Sequence, residues 1–249
     1  MKKSILISFV IGLVLAMGSV AMAITPGAGI TGTLHDLSST GSGGIAIGQA
    51  TETRICIFCH TPHFAAKASD FTGVNATVKY FPLWNHEMST ATYQTYTNGT
   101  DVPNMVSAQL NAVLGQPGGV SKLCLSCHDG SIAINSYGHY QSNPTVGAGS
   151  GSTGIIMPGS YKIGGSGDLS NHHPVGFNYA NVSAVDDEIY DASSPLNGGT
   201  GLTINDVLWN GNVECVSCHS VHNKKNEGFK FLWVNDNNGS ALCLSCHNK

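Results

Sequence analysis

The sequence predicts a chain that is mostly irregular, with short α and 3-10 helical turns and little β structure. Three observations carry this expectation. Eight cysteines form four Cys-x-x-Cys-His segments spread between residues 56 and 247. Glycine, serine, asparagine and threonine dominate residues 141–170, and stretches 193–201 and 235–240 are similar. No long segment keeps a helical apolar period, and alternation is confined to short runs such as Val78-Lys-Tyr-Phe81. A helical turn is expected at each cysteine motif, and a longer helix over Pro103 to Leu114.

At the N-terminus, Lys2 and Lys3 precede an apolar run, Ile5 to Ala16, and then Ala21-Met22-Ala23. A charged segment, an apolar segment and an A-x-A site read as a secretory signal peptide over residues 1–23. The run is short for a membrane span, which takes about 20 apolar residues. The expected mature chain, 24–249, has no second long apolar run and so no transmembrane segment. It would carry nine basic and fifteen acidic residues, a net charge of −6. That balance argues against nucleic acid as a partner. Charged residues make up only 10% of the chain, well below the roughly 25% of ordinary globular proteins. So much uncharged surface suggests cover by prosthetic groups or neighbouring subunits.

The cysteines carry the chemistry. The pairs are Cys56/Cys59, Cys124/Cys127, Cys215/Cys218 and Cys243/Cys246, followed at once by His60, His128, His219 and His247. Two thiols three positions apart share one face of a helical turn. There they can add to the two vinyl groups of one porphyrin, and the next histidine meets the iron axially. A disulfide framework or a zinc knuckle does not require a histidine after every pair. The expectation is four covalent haem c groups. At about 56 residues per haem, the mature chain is too short to build an ordinary apolar core around each. The polypeptide is expected to wrap the haems as its core.

The four motifs alternate. Cys56-Ile-Phe-Cys-His-Thr-Pro-His63 and Cys215-Val-Ser-Cys-His-Ser-Val-His222 both read C-x-x-C-H-x-x-H, the A form. Leu123-Cys-Leu-Ser-Cys-His128 and Leu242-Cys-Leu-Ser-Cys-His247 are identical over six residues, the B form. Trp84 in Phe81-Pro-Leu-Trp84 aligns with Trp233 in Phe229-Lys-Phe-Leu-Trp233. An isolated histidine segment lies before each A form: Leu34-His-Asp-Leu-Ser38 and Asn171-His-His-Pro-Val-Gly-Phe177. Two di-haem modules are inferred, at approximately 24–140 and 160–249, with a Gly/Ser-rich connection.

Each iron needs a second axial ligand. The repeat nominates His35, His63, His173 and His222 as the distal set, without saying which serves which iron. His63 and His222 follow their own proximal ligands too closely to reach the same iron, so each is expected to reach a neighbouring haem. His86 is the runner-up. His173 is preferred to His172 because the residue before Pro174 has a restricted backbone. His139 is read as a surface residue, and Met88, Met105 and Met157 as packing residues.

The segments Leu34-His-Asp-Leu-Ser38, Cys-His-Thr-Pro-His63, Pro82-Leu-Trp-Asn85, Leu-Cys-Leu-Ser-Cys-His-Asp-Gly130, His-Pro-Val-Gly-Phe177 and the final Leu-Cys-Leu-Ser-Cys-His247 together resemble the doubled-CXXCH multihaem c-type cytochromes. Among these, the chain is similar to the OmcE-type tetrahaem extracellular nanowire subunits. The resemblance implies bis-histidine haems stacked along a homopolymer. One axial histidine, His63 or His35, would be donated to a haem of the adjacent subunit. The expected function is extracellular electron transfer with redox partner proteins or extracellular acceptors, from a secreted, cell-surface or extracellular location. The alternative is a soluble periplasmic electron shuttle. A multihaem reductase is disfavoured because catalysis at haem needs an open iron site, and spare histidines exceed the vacancies.

Overall fold

The computed structural model describes residues 29–67, 83–96, 112, 114–140, 149, 153–223, 230–236 and 239–249. The expected signal peptide, the run Val78 to Phe81 and all but 112 and 114 of the helix expected over 103–114 lie outside them. The described chain is mostly coil with a few short helices and one two-stranded sheet, as the sequence predicts. In chain order the helices are α1 (Ser42–Ala46), a 3-10 turn (Cys56–Phe58), α2 (Ser121–His128), α3 (Tyr179–Ser183), α4 (Ile204–Val207), α5 (Cys215–Cys218) and α6 (Cys243–Cys246). Two further 3-10 turns lie at Gly159–Tyr161 and Gly165–Gly167. Strand β1 (Phe177–Asn178) pairs antiparallel with β2 (Asn212–Val213), Phe177 opposite Val213. No described helix is long and apolar enough to cross a membrane.

Helices of four or five residues are far below the length at which a helix persists alone. They are held by caps and by packing. The Asp206 carboxylate accepts from both the N–H and the hydroxyl of Thr203 at 2.8 Å, closing a capping box on α4. Asn178 accepts from the Asn181 N–H at the start of α3. Among the described residues, packing is divided among four small clusters rather than one core. Tyr179, Leu196, Ile204, Val207, Val213 and Val234 form the largest, in the C-terminal half. Ile57, Phe58, Ile134 and Tyr137 form a second behind the first cysteine motif. Trp84, Val120 and Leu123 form a third, and Tyr93, Leu125 and Leu169 a fourth. Each cluster lies under or beside a cysteine motif, so the apolar packing serves to place motifs.

Candidate haem sites

All four cysteine motifs lie on helical turns. In three of them the histidine N–H donates to the carbonyl of the first cysteine: His60 to Cys56 at 2.9 Å, His219 to Cys215 at 3.1 Å and His247 to Cys243 at 2.9 Å. One turn of helix therefore sets both thiols and the imidazole around the same axis. Among the described residues all eight cysteines are free thiols, so no disulfide competes for them.

The two A motifs share a backbone arrangement. The Thr61 N–H donates to the Leu83 carbonyl and the Asn85 N–H to the Cys59 carbonyl. The Ser220 N–H donates to Phe231 and the Trp233 N–H to Cys218 in the same way. Single bridges pair His60 with Trp84 and His219 with Leu232. Leu83 and Phe231, in matching positions, both take positive φ, 52° and 59°. Phe64 and Asn223, each just after the second histidine, do likewise at 58° and 51°. This register equates Trp84 with Leu232 and Asn85 with Trp233, one position away from the Trp-on-Trp alignment read from the sequence. The substituted pair does the same work: Asn85 Nδ2 donates to the Ile57 carbonyl at 2.9 Å, and Trp233 Nε1 to the Val216 carbonyl at 2.7 Å.

The two B motifs share a buried serine. Ser126 Oγ donates to the Lys122 carbonyl at 2.8 Å, and Ser245 Oγ to the Ala241 carbonyl at 2.9 Å. Each hydroxyl also accepts a loop N–H, from Ser89 at 3.1 Å and from Asn197 at 3.0 Å. A short hydroxyl at that position ties a passing loop to the helical turn, which accounts for the serine shared by the two B motifs.

Among the described residues, three motif imidazoles face a second imidazole. The ring centres of His35 and His128 are 6.1 Å apart, those of His60 and His222 also 6.1 Å, and those of His173 and His247 6.4 Å. An imidazole–metal–imidazole axis with metal–nitrogen bonds of about 2.0 Å separates ring centres by about 6.3 Å. All three distances fit an iron held between two histidines. The pairs obey one rule: the upstream histidine of each module faces the B histidine of that module, and the second histidine of the later A motif faces the proximal histidine of the earlier one.

Local structure places these rings. Helix α1 packs so closely on the His35 turn that a Cβ at Gly44 would meet the Ser38 carbonyl oxygen at 1.7 Å, so only glycine fits. Buried Asp36 fixes the turn by accepting from the Ser38 hydroxyl at 2.6 Å and the Gly32 N–H at 3.1 Å. Phe231 stacks on His35, centroids 4.6 Å apart and planes 21° apart. Burial, reinforced by His128 and His219, pushes the His35 imidazole down to about 4, favouring the neutral form that binds metal. His128 Nδ1 lies 3.0 Å from the Tyr161 carbonyl, His219 Nδ1 3.0 Å from that of Lys230, and His173 Nδ1 2.9 Å from that of Pro174. A carbonyl at Nδ1 fixes the tautomer and leaves the Nε2 lone pair for a metal.

The remaining histidines are differently placed. His63 and His219 are exposed, and neither pairs with another described imidazole at this spacing. His86 is fully buried, with Nδ1 2.7 Å from the Glu87 carbonyl and Nε2 3.0 Å from that of Ala133. His139 stands 3.8 Å from Glu87 and edge-on to Tyr140. Met88 packs beside the third cluster, its sulfur 3.4 Å from the Ser126 hydroxyl oxygen.

The motifs adjoin one another. Cys124 and Cys215 interact closely enough that Cys124 holds the Cys215 thiol below its ordinary value. Cys59 acts electrostatically on Cys127, and Cys246 on Cys218. Glu214 is buried beside this contact, accepting from the Ser121 hydroxyl, and burial pushes its carboxyl up to about 7. Among the described residues, Trp84 Nε1 and Trp209 Nε1 are buried donors without a partner, a fit for the carboxylate edge of a porphyrin. The repeat was legible from the sequence, but Phe231, Ser126, Ser245 and Glu214 were not singled out. Only the twice-repeated Leu-Ser offered a signal.

Residues 210–249 match the family model of the doubled CXXCH motif. That match supports a multihaem c-type cytochrome. No curated protein matches the chain. The matched segment holds α5 and α6, the second A and B motifs, and the first pair repeats their geometry.

Proposed function

We propose that the protein is an electron carrier with four bis-histidine haem c groups, secreted and polymerising head to tail into a conductive filament. Haem c supplies reversible one-electron chemistry at iron when bound. The chain's own residues do the rest. Eight thiols would anchor the four groups, and His60, His128, His219 and His247 together with His35, His63, His173 and His222 would supply the imidazoles that hold them. Eight histidines for four groups would leave no open position for substrate, which supports a carrier over an enzyme. Adjoining motifs support electron movement from one group to the next.

One observation carries the polymer reading. The pairing rule that joins His222 to His60 leaves His63 and His219 over, both exposed. Applying the same rule one module further sends His63 of one copy to the iron held by His219 of the partner subunit. A head-to-tail contact of this kind extends into a fibre wherever its rotation does not close a ring, and the fibre is the form we propose. Electron paramagnetic resonance of the holoprotein and of His63→Ala tests it. The variant should remain monomeric, with about one iron in four high-spin. A variant that polymerises with all iron low-spin overturns the reading. Wild-type protein that is monodisperse and fully low-spin points instead to a soluble shuttle.

A further inference from the structure

Phe231 and Leu83 occupy matching positions. Each carbonyl accepts the N–H just after an A-motif histidine, and each residue takes a positive φ. That conformation is rare for bulky side chains. Their surroundings differ. Phe231 lies over the His35 ring at 4.6 Å and so joins the later module to the earlier one. Leu83 is 53% exposed. The counterpart of His35 in the second module is His173. Its ring is paired with His247 and the residue is exposed. Leu83 is thus an uncovered apolar side chain and His173 an uncovered ligand ring, and the internal module junction shows how two such groups fit.

We infer that the junction between subunits repeats the junction between modules, with Leu83 covering the partner subunit's His173 as Phe231 covers His35 within the chain. The occupant of the surface is a second copy of this chain. The inference rests on the polymer reading above and adds a second contact to it. Phe64, next to His63 and 60% exposed, lies in the segment that the Thr61 and Ala66 N–H groups tie to Leu83 and Trp84. An apolar rim therefore borders the left-over ligand. A contact of this kind excludes water around the ligand bond and sets which face of the neighbour docks.

Three holoproteins test it: wild type, Leu83→Asp and Leu83→Phe, the last copying the second module. Assembly is followed by light scattering and negative-stain microscopy against concentration, and haem content and low-spin signals are read on dissociated monomers. Leu83→Asp should raise the assembly concentration about ten-fold or more, with monomer haem content and spectra unchanged. Leu83→Phe should assemble at or below the wild-type concentration. Assembly of Leu83→Asp at the wild-type concentration overturns the inference and leaves the polymer reading standing. Loss of haem or low-spin signal in its monomer also overturns it, because Leu83 would then cover the chain's own haem. A wild-type holoprotein that never assembles overturns both.

Discussion

Replacing His222 with alanine removes the ring that faces His60 across 6.1 Å, with the two planes 30° apart. The neighbouring pairs, His35–His128 and His173–His247, share no residue with it. The loss should fall on one iron in four, so about a further quarter of the ferric iron becomes high-spin in the dissociated monomer. Spin-quantified electron paramagnetic resonance on dissociated monomers measures this against a wild type whose own open iron, held by His219, already contributes one share. The variant should therefore show about twice the wild-type monomer's high-spin fraction. His86→Ala is the control. Its ring is fully buried against two backbone carbonyls and lies 3.4 Å from the Cys127 sulfur, with no motif imidazole facing it among the described residues, so its removal should cost about 2–4 kcal/mol of stability and leave the spin ratio alone. A His222→Ala monomer with the wild-type ratio, or a His86→Ala monomer with an enlarged high-spin share, would refute the pairing.

Ser245→Ala strips the Asn197 N–H and the Ala241 carbonyl of a buried partner; denaturant unfolding should show a loss of about 1–3 kcal/mol, with a similar loss for Ser126→Ala. Glu214 has its folded-state value raised to about 7 from an ordinary 4.5 by burial. The folded protein therefore holds a proton that the unfolded chain releases, and stability rises as pH falls from about 7 to 4.5. The ionised form costs about 3 kcal/mol above that range. His35, held down to about 4, acts in the opposite sense in both proteins, so the test is the difference between them: by unfolding midpoint, going from pH 8 to pH 5 should stabilise the wild type more than Glu214→Gln, and an equal change in the two contradicts the burial argument. Chain produced without haem attachment should lack the four small clusters' cooperative unfolding, which circular dichroism melting checks.

The mostly irregular fold was legible because Gly-rich stretches and missing periodicity leave little to stabilise long helices. The motif turns were legible from cysteine spacing, and the repeat nominated His35, His63, His173 and His222, the first and the last two of which face motif imidazoles. Their pairing was not, because His222 and His60 meet only through tertiary packing of segments 162 positions apart in sequence. The register of the second A motif was also misread. Matching Trp84 to Trp233 is the natural alignment by residue type, but the backbone bonds equate Trp233 with Asn85. What the fold keeps is a donor for the carbonyl after the first cysteine, and an indole N–H and an amide serve equally. Positive φ at Leu83 and Phe231 is invisible to propensity, which assigns that region to glycine.

The central claim is that one pairing rule governs all four irons and carries the fourth across the subunit boundary. A cryo-electron microscopy map of the assembled holoprotein reads every axial ligand at once. The account predicts His35 opposite His128, His222 opposite His60, His173 opposite His247, and His63 bonded to the iron held by His219 of the partner subunit. A map in which the His219 iron takes its second ligand from its own chain, or in which His63 stands clear of any iron, would contradict it.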